Sequence, residues 1–91
     1  QPRGLAIDGA NLYISDSANN RILAWHALPT SNGQSADVVY GQTSGGLRFP
    51  NAGTGMAALN TLFTPGGLSI AGGLVYIADT GNSRILVLPE F

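Results

Sequence analysis

The chain is 91 residues long, 44% hydrophobic but only 10% charged, with a net charge of −1 and no lysine. That length sets one small domain near the limit at which a single core stabilises a fold, and the scattered arginines Arg3, Arg21, Arg48 and Arg84 make no basic field of the kind nucleic acid demands. The lack of cysteine excludes disulfides, zinc-thiolate sites and thiol catalysis, and no apolar run approaches the roughly 18 residues of a membrane-spanning helix, so no membrane insertion is expected.

In chain order, Gln1-Pro2-Arg3 leads straight into strand material, and no leader is expected there. Three short apolar runs follow, Gly4–Asp8, Asn11–Ser15 and Arg21–Trp25, punctuated by Gly9-Ala10 and by Ser17–Asn20. Strands of about five residues joined by short turns predict an antiparallel meander. Leu12-Tyr13-Ile14 is apolar at consecutive positions, as a strand covered on both faces requires. Ala36–Gly41, with Val38-Val39-Tyr40, supplies a fourth strand. Thr43–Phe63 is then a long irregular stretch rich in Gly, Ser, Thr and Asn, within which Met56–Leu59 suffices for one helical turn, too short to stand alone. From Pro65 the first pattern returns, with Val75-Tyr76-Ile77 again apolar throughout.

That return is a true repeat. Residues 2–25 align with 65–88 without a gap, and 12 of the 24 positions are identical, including Gly4/Gly67, Tyr13/Tyr76, Asp16/Asp79, Asn19/Asn82 and Arg21/Arg84. A period on this scale signals stacked or radial repeats, each burying its apolar faces only against neighbours. Gly4, Ala6, Gly67 and Ser69 put small side chains on one face of the leading strand, suited to a crowded inner edge, while Tyr13, Trp25 and Tyr76 suit a widening wedge. The expected organisation is a first blade over 1–41, a Gly-rich connecting loop over 42–64, and a second blade over 65–91 whose outer strand is missing.

The residues resemble the NHL repeat: a Pro-x-Gly-aliphatic-x-aliphatic-Asp strand, an aliphatic-Tyr-aliphatic-x-Asp strand, and an Asn-x-Arg-aliphatic strand. Pro2–Asp8, Leu12–Asp16 and Asn19–Ile22 meet that pattern, and Pro65–Ala71, Val75–Asp79 and Asn82–Ile85 meet it again, with Ala71 in place of the strand-ending Asp. Trp25–Thr30 and Ala36–Gln42 are similar to segments of bacterial, mostly exported NHL-repeat proteins. The resemblance implies an all-β fold, two antiparallel β-meander blades of an NHL-type β-propeller, typically a six-bladed ring completed by other chains or by further sequence. It also implies an extracellular or periplasmic location. It does not fix activity, because such propellers include enzymes, RNA binders and protein-binding platforms.

The sharpest polar constellation is the doubled set Asp16, Asn19, Arg21 and Asp79, Asn82, Arg84. These residues are expected to be structural: Asp accepts backbone N–H groups in a tight turn, Asn tolerates left-handed geometry, and Arg pairs across neighbouring blades with a carboxylate such as Asp8; because Ala71 removes one candidate, the expected partner of Arg84 is Asp79 or a neighbouring chain's Asp8. Neither Asp8-Gly9-Ala10-Asn11 nor Asp16-Ser17-Ala18-Asn19 has calcium-loop spacing, so no metal is expected. His26, the sole histidine, has no carboxylate beside it and reads as a turn residue; no Gly-x-Ser-x-Gly elbow occurs, and no catalytic residue is assigned. Binding is placed on the long loop: Arg48, Phe49, Asn51 and Met56 would offer a cation, an aromatic anchor, an amide and a pliable apolar group. The competing reading is that Phe49, Leu59, Leu62 and Phe63 pack the loop onto the blades.

The resulting expectation is a non-enzymatic binding or scaffold module without a cofactor. It self-associates, as a trimer if the ring has six blades, or forms part of a longer propeller, and takes a protein or carbohydrate ligand on one face. The alternative is a metal-dependent lyase or hydrolase with an axial site, of the NHL-related type.

Overall fold

The computed structural model describes residues 2–42, 49–54 and 60–91. Two antiparallel sheets form. The first runs β1 (Pro2–Asp8), β2 (Asn11–Asp16), β3 (Arg21–Trp25) and β4 (Val38–Tyr40), in that spatial order. The second runs β5 (Pro65–Ala71), β6 (Leu74–Asp79) and β7 (Arg84–Pro89). The only helical segments among the described residues are 3₁₀ turns, at Ser17–Asn19, Pro50–Gly53 and Thr80–Asn82. The β5–β6 hairpin turns on Gly72 and Gly73, both at positive φ (56° and 77°), the twist that a two-residue connection between right-handed strands requires.

Equivalent strands of the two sheets begin 63 positions apart, and both leading strands shift register near their start, at Pro2/Gly4 and at Pro65/Leu68. The duplicated sequence therefore builds duplicated backbone, down to the irregularity. The second sheet has three strands among the described residues, against four in the first.

The sheets pack face to face, with β1 running against β5. Pairing puts Gly4 opposite Ser15, Ala6 opposite Tyr13, Ile22 opposite Ser15 and Ala24 opposite Tyr13, so one face of the first sheet carries these residues with Val38 and Tyr40. The facing side of the second sheet carries Leu68, Ile70, Val75, Ile77, Leu86 and Leu88. Val75 and Ile77 are fully buried, each worth about 1.5–3 kcal/mol of transfer free energy. Leu62, from the connection before β5, is also fully buried in this core.

Small residues let the backbones meet at the inner edge. A Cβ on Gly4 would lie 2.6 Å from the carbonyl oxygen of Gly66, and Ser15 Oγ donates to that same oxygen. Toward the outer edge the seam is filled by bulk. The Phe91 ring stands edge-on to Tyr13 at 5.2 Å and stacks on Tyr40 at 5.1 Å, while Tyr13 Oη donates to the Phe91 carbonyl at 2.9 Å. Of the small and large residues expected to form a wedge, Gly4 and Tyr13 do so at this seam; Trp25 lies on the opposite face of its sheet and Tyr76 is exposed.

Candidate functional site

Asp16 and Arg21 are direct cross-strand partners, as are Asp79 and Arg84. In each pair the arginine Nε lies 2.8 Å from the carboxylate. Both arginines thus pair within their own sheets: Arg84 takes Asp79, one of the two partners the sequence offers it, while Arg21 takes Asp16 and not a carboxylate such as Asp8 on a neighbouring blade. The register places a carboxylate directly opposite each guanidinium, well within reach, and Asp8 sits at the far end of β1. The left-handed residue of each turn is also one position later than expected: Asn20 (φ 56°) and Ser83 (φ 53°) adopt it. Asn19 and Asn82 instead donate their side-chain amides to Asp16 and Asp79, at 2.9 and 2.8 Å.

Asp79 is fully buried and also accepts the Phe63 backbone N–H at 2.8 Å, while Arg84 Nη2 donates to the Thr61 carbonyl at 3.0 Å. One ion pair therefore ties the incoming connection to the second sheet. Burial pushes the Asp16 carboxyl up, but the hydrogen bonds it accepts, those from Asn19 and Arg21 among them, hold it below its ordinary value.

Of the four loop residues singled out for binding, Arg48 and Met56 lie outside the described residues, and Asn51 falls within the Pro50–Gly53 turn. Phe49 is 54% exposed, so it does not pack onto the blades. Leu62 does, and Phe63 lies against the backbone of Gly81; Leu59 is outside the described residues. The residue that positions Phe49 is Gln42, which sequence reasoning missed. Its amide accepts from Phe49 N at 3.1 Å and donates to Phe49 O at 2.8 Å, and Nε2 also donates to Asn20 O at 2.9 Å. Gln42 ends the Ala36–Gln42 segment that the resemblance covers, but that pattern says nothing of a clasp on a residue seven positions on.

Asn20 links this clasp to the seam, because its Oδ1 accepts the Thr64 N–H at 2.8 Å. At the same end, a cleft of about 370 Å³ lies between the sheets, lined by Arg3, Ser17, Ala18, Thr64, Gly66 and Thr80. It offers one exposed cation and three hydroxyls, a surface suited to hydrogen-bonding and anionic groups of a partner.

Elsewhere His26 is exposed, and Asp37 accepts its backbone N–H at 2.8 Å. No grouping of three or more His, Asp or Glu able to hold a metal occurs among the described residues, and no helix among them is long and apolar enough to cross a membrane.

The outward faces of both sheets carry exposed apolar side chains, with Arg3 and Arg21 also on the first. Leu5 and Ile7 stand 60% and 55% exposed on the first, and Ile85 and Val87 stand 63% and 49% exposed on the second. Beside Ile85 lies a hollow of about 310 Å³ lined by Gly67, Leu68, Ser69, Tyr76 and Ala78. Residues 64–88 match the family model of the NHL repeat. No curated protein matches the chain.

Proposed function

From a chain that carries an NHL repeat, we infer a non-enzymatic protein-binding module of the propeller type. Its two sheets act as blades that associate with further blades of the same kind in a closed ring. With two blades per chain, three copies complete a six-bladed ring; further sequence on a longer chain would serve equally. A partner is taken at the end of the blades where Phe49 and the cleft beside Arg3 lie. A protein is favoured over a carbohydrate because Phe49 and Arg3 are both exposed, and aromatic and arginine side chains are enriched at protein contacts. The bacterial, exported character and an extracellular or periplasmic location rest on the resemblance alone.

The observation that carries the reading is that each sheet also carries exposed apolar side chains on the face turned away from the other, Leu5 and Ile7 on the first and Ile85 and Val87 on the second. Flanks of this kind are covered in soluble proteins, because contiguous exposed apolar surface drives association. Sedimentation of the chain over a concentration series tests it: association into a discrete species is expected, and a monomer throughout would refute it.

A further inference from the structure

We propose that Asn32 is a site of spontaneous covalent modification, where the Gly33 backbone nitrogen attacks the Asn32 side-chain amide and converts it, through a cyclic imide, to isoaspartate and aspartate. The conversion adds a negative charge to the connection between β3 and β4. In its isoaspartate form it also lengthens the backbone beside the residue that holds Trp25.

Of the seven asparagines, Asn32 alone is followed by glycine. A side chain on the following residue crowds the five-membered ring as it closes, and glycine has none. The structure supplies two further conditions. Asn32 and Gly33 are exposed, and a Cβ on Gly33 would meet nothing within 4 Å. Neither the Asn32 amide nor the Gly33 N–H makes a hydrogen bond among the described residues, so neither the electrophile nor the nucleophile is tied up. The fold treats other asparagines differently. Asn19 and Asn82 donate their amides to Asp16 and Asp79, and Asn20 accepts the Thr64 N–H.

The step is an acyl transfer with water as its one co-reactant. The Gly33 nitrogen bonds to Asn32 Cγ as the Cγ–Nδ2 bond breaks, and Nδ2 leaves as ammonia carrying the Gly33 amide proton. Water then adds to one of the two imide carbonyls. Opening at Cγ gives aspartate; opening at the backbone carbonyl carbon gives isoaspartate, in which the chain runs through Cγ. Either product carries a carboxylate in place of a neutral amide, one unit of charge below the −1 of the unmodified chain.

The reacting pair lies inside a clasp. Gln34 O accepts the Trp25 indole N–H at 3.1 Å, and Gln34 Oε1 accepts the Thr30 N–H at 3.2 Å. Asp37 closes the base of the connection by accepting from His26 N at 2.8 Å. Asn32 and Gly33 stand between Thr30 and Gln34, so an extra backbone atom there pulls Gln34 from its partners. Trp25 is the sole tryptophan and is buried, which makes its emission a reporter of that change.

The test ages the folded 91-residue chain in mildly alkaline buffer and follows ammonia release, peptide mass maps and tryptophan emission. Gly33 sits at φ 72°, where an added side chain strains the turn, so the variants change Asn32 alone. A gain of one mass unit is expected at Asn32 at least tenfold faster than at any other asparagine, with red-shifted emission in the isoaspartate fraction. Asn32→Gln, whose longer side chain closes a less favourable six-membered ring, should keep its mass and emission over the same period. Freshly purified Asn32→Asp has the charge without the extra backbone atom. It should match the aged chain in ion exchange and the unaged wild type in emission. No gain at Asn32 in the folded chain, or a gain no faster than at Asn82, overturns the site assignment. An isoaspartate fraction that keeps the unaged emission overturns the link to Trp25.

Discussion

Arg84 reaches across from β7 to Asp79 on β6 at 2.8 Å, and the carboxylate of this pair is sealed from solvent. Removing the guanidinium leaves a buried charge without its cation, which costs about 3–5 kcal/mol. Arg84→Ala is therefore expected to lose that much stability in urea unfolding. Arg21→Ala should lose distinctly less, because the Asp16 side chain retains some contact with water. Equal losses would show that burial of the carboxylate is not what separates the two copies.

Two carboxylates give opposite pH signatures. Asp16 is held below its ordinary value, so its contribution is present above that value and is lost as the pH falls through the folded pKa. Glu90 is shifted the other way: a hydrogen bond shared with Asp8 raises it first, with burial and the Asp8 charge adding. The stability linked to Glu90 is complete below 4.5 and disappears as the pH rises through its folded pKa. Glu90→Gln should flatten the stability profile in that window above pH 4.5 and leave the acid limb unchanged. A Glu90→Gln profile that parallels the wild type would contradict the Asp8 contact.

Gln42 holds Phe49 by its backbone, so the two residues separate position from recognition. Phe49→Ala removes an exposed ring and should change stability by no more than about 0.5 kcal/mol. Gln42→Ala removes hydrogen bonds to Phe49 and Asn20, costs about 1–2 kcal/mol, and raises hydrogen exchange at the Phe49 amide. Unfolding by Phe49→Ala would make the ring a packing residue and remove it from the proposed partner surface.

Most of the backbone is legible in the sequence because strand length, turn residues and the repeat frame all point one way. The runs Asn11–Ser15 and Arg21–Trp25 lie within the observed strands nearly to the residue. Contacts between side chains are less legible. Arg21 was sent to Asp8 because sequence shows charge without register, and pairing decides which carboxylate stands opposite. The left-handed position passed to Asn20 and Ser83 because each 3₁₀ turn takes three residues after the aspartate, which only the hydrogen-bond pattern reveals. Gln42 was invisible for the same reason: its partners are backbone atoms, which leave no trace in residue identity.

The central claim is that the two sheets are blades that associate with further blades, and the mass of the chain in solution tests that most directly. Sedimentation equilibrium over a wide concentration range should resolve a discrete assembly at a whole multiple of the 9.3 kDa chain, with three copies for a six-bladed ring. A compact, folded 9.3 kDa species at every concentration, with Leu5 and Ile85 left in water, would contradict it.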